Sequence, residues 1–260
     1  MKRFVFMLAA VFLVCPFGQS QAQVSEALWN TEKTQHFIIY YQSADIGFIR
    51  SLAHTAEKNY NSIVDELGFR RMDFWSWDNR AKIYIYDGPQ DYHDEAMRDE
   101  WSRAVVFVHT RTIKSYQGQQ GFFDSILPHE MTHIIFREFV GTQVPLPLWI
   151  DEGVASSQEK SHLQGRLAFA KGLIQQGKYI RFDKLFGIYR MDDVSPQVFY
   201  AQSASLIVFL IRQYGRERFV DLSRRLRDGI PWYRAILDVY RFRDFSAMES
   251  AWKDFVLRNF

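Results

Sequence analysis

Residues 127–136 read LPHEMTHIIF, and residues 148–155 read LWIDEGVA. Both stretches carry helical spacing of apolar side chains. On a helix, positions four apart lie on one face, so His129 and His133 can direct both imidazoles at a single metal ion, with Glu130 beside them. Zinc suits two histidine nitrogens plus a carboxylate and leaves a fourth position for water. A neighbouring glutamate can take that water's proton as it attacks a carbonyl. The plainer reading is two surface histidines and a solvated glutamate. The flanks speak against it: Ile126, Leu127, Ile134, Ile135 and Phe136 make a mostly buried helix, where polar groups are costly unless paired or liganded.

A third ligand follows at the right distance. Glu152 has 18 residues between it and His133. Gly153 and Ala155 remove bulk beside that carboxylate, which is expected to let the two helices approach closely enough to touch one ion. The competing pattern, with a third histidine, needs Gly at 136 and His at 139, where this chain has Phe136 and Phe139. His129, His133 and Glu152 are therefore expected to hold one Zn2+ per chain.

Outward from this centre the chain changes character. Residues 36–42 (HFIIYYQ), 81–86 (AKIYIY) and 104–109 (AVVFVH) are rich in aromatic and β-branched side chains and read as strands. Residues 46–67 space Phe48, Leu52, Ala56, Tyr60, Ile63, Val64 and Leu67 at three and four, an amphipathic helix stopped by Gly68. From residue 119 nearly everything has helical period: 122–140, 148–160, 162–176, 196–214, 216–228, 231–240 and 246–258. The expectation is an α+β protein with a small α/β lobe, 23–115, built on a mixed sheet, and a mainly helical lobe, 116–260. The metal site falls on the helices near 128–140 and 148–160. No Gly-, Ser- or Pro-rich linker separates the lobes, so 23–260 reads as a single domain.

Residues 1–22 stand apart. Lys2 and Arg3 precede an apolar run over 4–15, then Pro16 and a small, polar stretch, with Ser20 and Ala22 placed for cleavage: a secretory signal peptide. The run is short of the roughly 20 residues a membrane helix needs, and Val14 before Cys15 is wrong for a lipidation site. Cleavage removes Lys2, Arg3 and Cys15. The mature chain is then charge-balanced and cysteine-free, suited to the periplasm or the exterior, and without a membrane span. The composition, 47% hydrophobic and 17% aromatic, excludes disorder. Near-equal numbers of basic and acidic residues, 32 and 30, give no field to gather nucleic acid. Phe74-Trp75-Ser76-Trp77 reads as core cover beside a loop rather than a ligand platform. Arg216, Arg218, Arg224, Arg225 and Arg227 read as a solvated face paired with Glu217, Asp221 and Asp228. The sequence carries no signal for oligomeric state.

These residues together resemble the gluzincins, zinc peptidases whose third ligand is glutamate. The phrase Trp149-x-x-Glu152-Gly153-x-Ala155 is similar to the aminopeptidase N catalytic core and, more closely, to compact bacterial peptidase MA-like domains. The second likeness spans most of the mature chain, through the Leu127-Pro128-His129-Glu130 lead-in, Tyr200-Ala201-Gln202-Ser203-Ala204, Tyr214-Gly215 and the terminal Phe245-Ser246-x-x-Glu249-x-x-Trp252. It implies a thermolysin-like zincin fold that hydrolyses peptide bonds of a peptide or protein substrate. His129, His133 and Glu152 would be ligands and Glu130 the general base. The alternative is a catalytically silent zinc-binding protein of the same fold, acting as a peptide-binding or scaffold module. Retention of both Glu130 and Glu152 favours catalysis.

Within that resemblance several assignments remain expectations. Aminopeptidases of this kind carry a Gly-x-Met-Glu-Asn strand, which nothing between residues 80 and 128 matches, so an endopeptidase is expected. The strand over 104–110 fits either a sheet edge that adds an extended substrate or an ordinary interior strand. Tyr200 fits either a donor to the oxyanion or a core-edge aromatic. His162 and His109 could donate too, on residue type alone. Asp151, just before Glu152, or Ser156, one turn after it, could orient an imidazole.

Overall fold

The computed structural model describes residues 29–69, 75–96, 104–190 and 194–260. The expected signal peptide and Phe74 lie outside these residues. Among the described residues five strands form one sheet in the order β1-β2-β3-β5-β4: β1 (Asn30–Lys33), β2 (Phe37–Tyr41), β3 (Ala81–Tyr86), β4 (Ala104–Phe107) and β5 (Thr112–Tyr116). β2, β3 and β5 run parallel, while β1 and β4 pair antiparallel at either side. The register aligns Ile39, Ile83, Ile113 and Val106 in a row across four strands. The three isoleucines are fully buried, each contributing about 1.5–3 kcal/mol of transfer free energy. Alternation then turns Tyr40, Tyr84 and Lys114 to the opposite face, where they are half-buried.

Helix α1 (Ile46–Leu67) crosses from β2 to β3 over the buried face. Asp45 caps it by accepting the Phe48 N–H at 2.9 Å, and Gly68 ends it in the left-handed conformation, φ 79°. A Cβ at Gly68 would also meet Val220 Cγ2 at 2.7 Å, so the turn and the packing both call for glycine. A short helix α2 (Pro89–Ala96) precedes β4.

The helical lobe opens with a π turn over Phe122–Ile126 and continues through α3 (Leu127–Val140), α4 (Leu148–Ser157), α5 (Lys160–Gln175), α6 (Phe182–Leu185), α7 (Pro196–Tyr214), α8 (Arg216–Arg227), α9 (Trp232–Tyr240) and α10 (Phe245–Asn259). Only Glu138 of α3 escapes burial. A helix buried on nearly all sides lies at the centre of the packing, and α3 does so between the sheet with α1 on one side and α4 and α8 on the others. One core runs from Phe37 and Ile83 of the sheet through Met131 and Ile135 of α3 to Trp252 of α10.

The expected α+β architecture of a mixed-sheet lobe followed by a helical lobe is the one observed. Several local readings change. The strand expected to reach residue 109 stops at Phe107 and passes through a 3-10 turn, Val108–Thr110, to Arg111 at φ 49°. β1 and β5 were not visible in the sequence pattern. β1 (NTEK) is almost wholly polar and takes its conformation from pairing with β2. β5 (TIKSY) buries Thr112 and Ser115 beside Ile113, which hides the apolar alternation. The tryptophans of the 74–77 cluster part company. Trp75 is fully buried and donates to Glu138 Oε2 at 2.5 Å, whereas Trp77 is 82% exposed. On α8, Arg216 pairs with Asp65 and Arg225 with Asp221 and Asp238, consistent with a solvated face. Among the described residues no helix is long and apolar enough to cross a membrane.

Candidate metal centre

Pro128 in the first turn of α3 presets the backbone without wasting a hydrogen-bond donor, and the next residue is His129. One turn later His133 brings its Nε2 within 3.1 Å of His129 Nε2, with ring centres 4.8 Å apart. α4 lies against α3 and presents Glu152, whose Oε2 is 3.5 Å from His129 Nε2 and whose Oε1 is 3.8 Å from His133 Nε2. The structure thus brings His129, His133 and Glu152 into one buried cluster, with a ligand atom from each within 4.8 Å of the others.

The donor set fits a metal. Atoms bound about 2.0–2.1 Å from a tetrahedral ion stand about 3.3 Å from one another, and the observed separations fall on both sides of that figure. Both oxygens of Glu152 are buried without a hydrogen-bond partner. An ionised carboxylate taken out of water costs several kcal/mol unless a positive charge faces it. Electrostatics agree. Burial disfavours the His129 imidazolium, but the carboxylates of Glu152 and Glu159 outweigh it and hold its pKa up to about 10. A pocket of that sign calls for cationic charge between these side chains.

Glu130 is also buried, and its desolvation outweighs the attraction of the two imidazoles, holding its pKa above the usual carboxylate range. Such a group sits closer to neutrality as a proton acceptor than an exposed glutamate does. Tyr200, on α7, is nearly buried with its ring centre 6.4 Å from that of His129. Burial, reinforced by the charges of Glu152 and Glu130, raises its pKa well above that of a free tyrosine. The phenol therefore keeps its proton and can donate it in a hydrogen bond.

The outer nitrogens of the imidazoles meet carboxylates. Asp151 places Oδ1 3.6 Å from His133 Nδ1, while its Oδ2 accepts from Arg137 Nε at 3.0 Å and Nη2 at 2.9 Å. Burial works against the Asp151 charge, but Arg137 prevails and brings its pKa down to about 2. Ser156 does not reach an imidazole: its Oγ is buried without a hydrogen-bond partner. At His129 the contact falls instead to Glu159, whose Oε1 accepts from Nδ1 at 2.8 Å. The sequence reading missed this residue. Seven positions separate it from Glu152, two turns on one helical face, but α4 ends at Ser157 and α5 begins at Lys160, so helical spacing alone did not place it. His162 lies on the same carboxylate, 3.3 Å from Oε2. His109 is exposed, on the turn after β4, with Nε2 3.4 Å from Gln143 Nε2.

Gly153 serves a different neighbour from the one expected. Its Cβ would lie 2.7 Å from the backbone oxygen of Ser203, so its absence lets α4 press on α7 rather than on α3.

A zincin-like α+β fold around a buried His-His-Glu cluster defines the class: a zinc-dependent peptidase, a hydrolase rather than an inert scaffold. Residues 76–258, well over half of the chain, match the Peptidase MA superfamily, and the chain belongs to that family. A search among curated proteins finds no match.

Proposed function

We propose that the chain is an exported zinc endopeptidase in which His129, His133 and Glu152 hold one Zn2+ and Glu130 acts as general base and proton shuttle. The observation that carries this reading is the Glu152 carboxylate, buried without a hydrogen-bond partner and facing two histidine nitrogens. When bound, zinc supplies Lewis acidity, polarising a carbonyl and acidifying water at neutral pH. The protein's own residues do the rest. Glu130, with its pKa raised by burial, accepts the proton of the attacking water and passes it to the departing amine. Tyr200, kept protonated, donates a hydrogen bond to the carbonyl oxygen as negative charge builds on it.

Among the described residues β4 is an edge strand of the sheet and packs against α3. This supports the addition of an extended substrate along residues 104–107, with main-chain hydrogen bonds holding an internal stretch of peptide across the site. The absence of the aminopeptidase amine-binding phrase between residues 80 and 128 favours the same outcome. The core shared by both lobes supports one domain over 23–260, and the charged-then-apolar N-terminus supports export to the periplasm or exterior.

The test is incubation with a peptide library, read by mass spectrometry with and without chelator. Chelator-sensitive cleavage at interior bonds is expected. Cleavage confined to terminal residues would overturn the endopeptidase reading, and an absence of cleavage would overturn the catalytic one.

A further inference from the structure

Glu159 lies outside the proposed ligand set, in the link between α4 and α5, yet its side chain is fully buried. Its oxygens have divided tasks. Oε1 accepts from His129 Nδ1 at 2.8 Å, while Oε2 accepts from Ser125 Oγ at 2.7 Å and Arg166 Nη2 at 2.7 Å, with His162 Nδ1 at 3.3 Å. A carboxylate oxygen 2.8 Å from Nδ1 favours, for the neutral imidazole that a metal requires, the tautomer with its proton on Nδ1 and its Nε2 lone pair toward His133 and Glu152. Arg166 has a second contact. Its guanidinium lies 5.6 Å from the centre of the Tyr200 ring, within range of a cation–π attraction.

We infer that Glu159 and Arg166 are a positioning pair: Glu159 sets the tautomer and direction of His129, and Arg166 both fixes Glu159 and holds the Tyr200 ring in line with it. This rests on the zinc reading above. One ion pair, with its carboxylate buried and its guanidinium partly exposed, thereby aligns a metal ligand and the oxyanion donor, which come from helices far apart in sequence.

The test is the zinc affinity of the full chain, measured by competition with a chromophoric chelator. Glu159→Gln is nearly isosteric but uncharged, and is expected to weaken zinc binding about 10–100-fold, as loss of an outer partner to a metal-bound histidine does. Arg166→Gln should cause a smaller loss. The double variant should bind no more weakly than Glu159→Gln alone, because Arg166 acts on the metal through Glu159. An affinity for Glu159→Gln within about twofold of the wild type overturns the inference, and additive losses overturn the role of Arg166. Histidine nitrogen NMR of the zinc-loaded wild type tests the same point without a variant. Protonation of His129 at Nδ1 is expected, and the opposite tautomer contradicts it. A wild-type chain that binds no zinc overturns the metal reading itself.

Discussion

The two imidazoles sit in environments that are alike in composition and different in tightness. Each outer nitrogen faces a buried carboxylate, and each carboxylate is anchored by an arginine: Glu159 with Arg166 behind His129, Asp151 with Arg137 behind His133. The His129 side closes at 2.8 Å, a full hydrogen bond, while the His133 side stands at 3.6 Å. The arginines differ as well. Arg137 gives Asp151 two donors and a third to the Val144 carbonyl, so it fastens the 141–147 connection between α3 and α4. Arg166 gives Glu159 one donor and turns its face to Tyr200. One pair is built to hold the helices together and the other to aim the chemistry.

Variants can break or sharpen this contrast. The largest effect is expected at Glu130, which both sides serve: Glu130→Gln should keep the zinc and lower turnover by about 10²–10⁴-fold, measured on a cleaved peptide beside metal content. Next comes the clamp. Asp151→Asn leaves Arg137 without its anionic partner, and breaking a buried pair from one side costs about 3–5 kcal/mol. Denaturant unfolding of the metal-free chain should show that loss, and a loss below about 1 kcal/mol would place Asp151 on the chemical side of the comparison instead. On the aiming side, Tyr200→Phe should slow turnover by about 10²–10³-fold with zinc content and stability nearly unchanged; an unchanged rate would reduce the ring to packing. Gly153→Ala touches neither arginine. It presses a methyl against the Ser203 carbonyl and should cost about 1–3 kcal/mol of stability. Smallest of all, Trp77→Ala, on an exposed ring, should stay within about 0.5 kcal/mol of the wild type.

The centre of the site was legible because its chemistry is written at helical spacing. Two histidines one turn apart and a glutamate opening the next helix need little three-dimensional knowledge to be brought together, and the apolar flanks of α3 announced its burial. The supporting shell was less legible. Asp151 could be named because it adjoins a ligand, whereas Glu159 reaches His129 only because the chain bends between α4 and α5 and folds the carboxylate back over Ser125. Ser156 stands nearer to Glu152 in sequence and makes no such contact. Gly153 shows the same limit. Its small size was readable as a close approach, but the partner, Ser203 of α7, is a tertiary neighbour that no local spacing identifies. In the sheet, β2 and β3 declared themselves by alternation, whereas β1 and β5 owe their extension to the strands beside them.

The central claim is that His129, His133 and Glu152 hold one zinc ion. The most direct test is elemental analysis of the purified chain beside its His129→Ala variant. The account predicts about one zinc per wild-type chain and little in the variant, as expected for a site with three protein ligands. Well under one zinc in the wild type, or the same content in both, would contradict it.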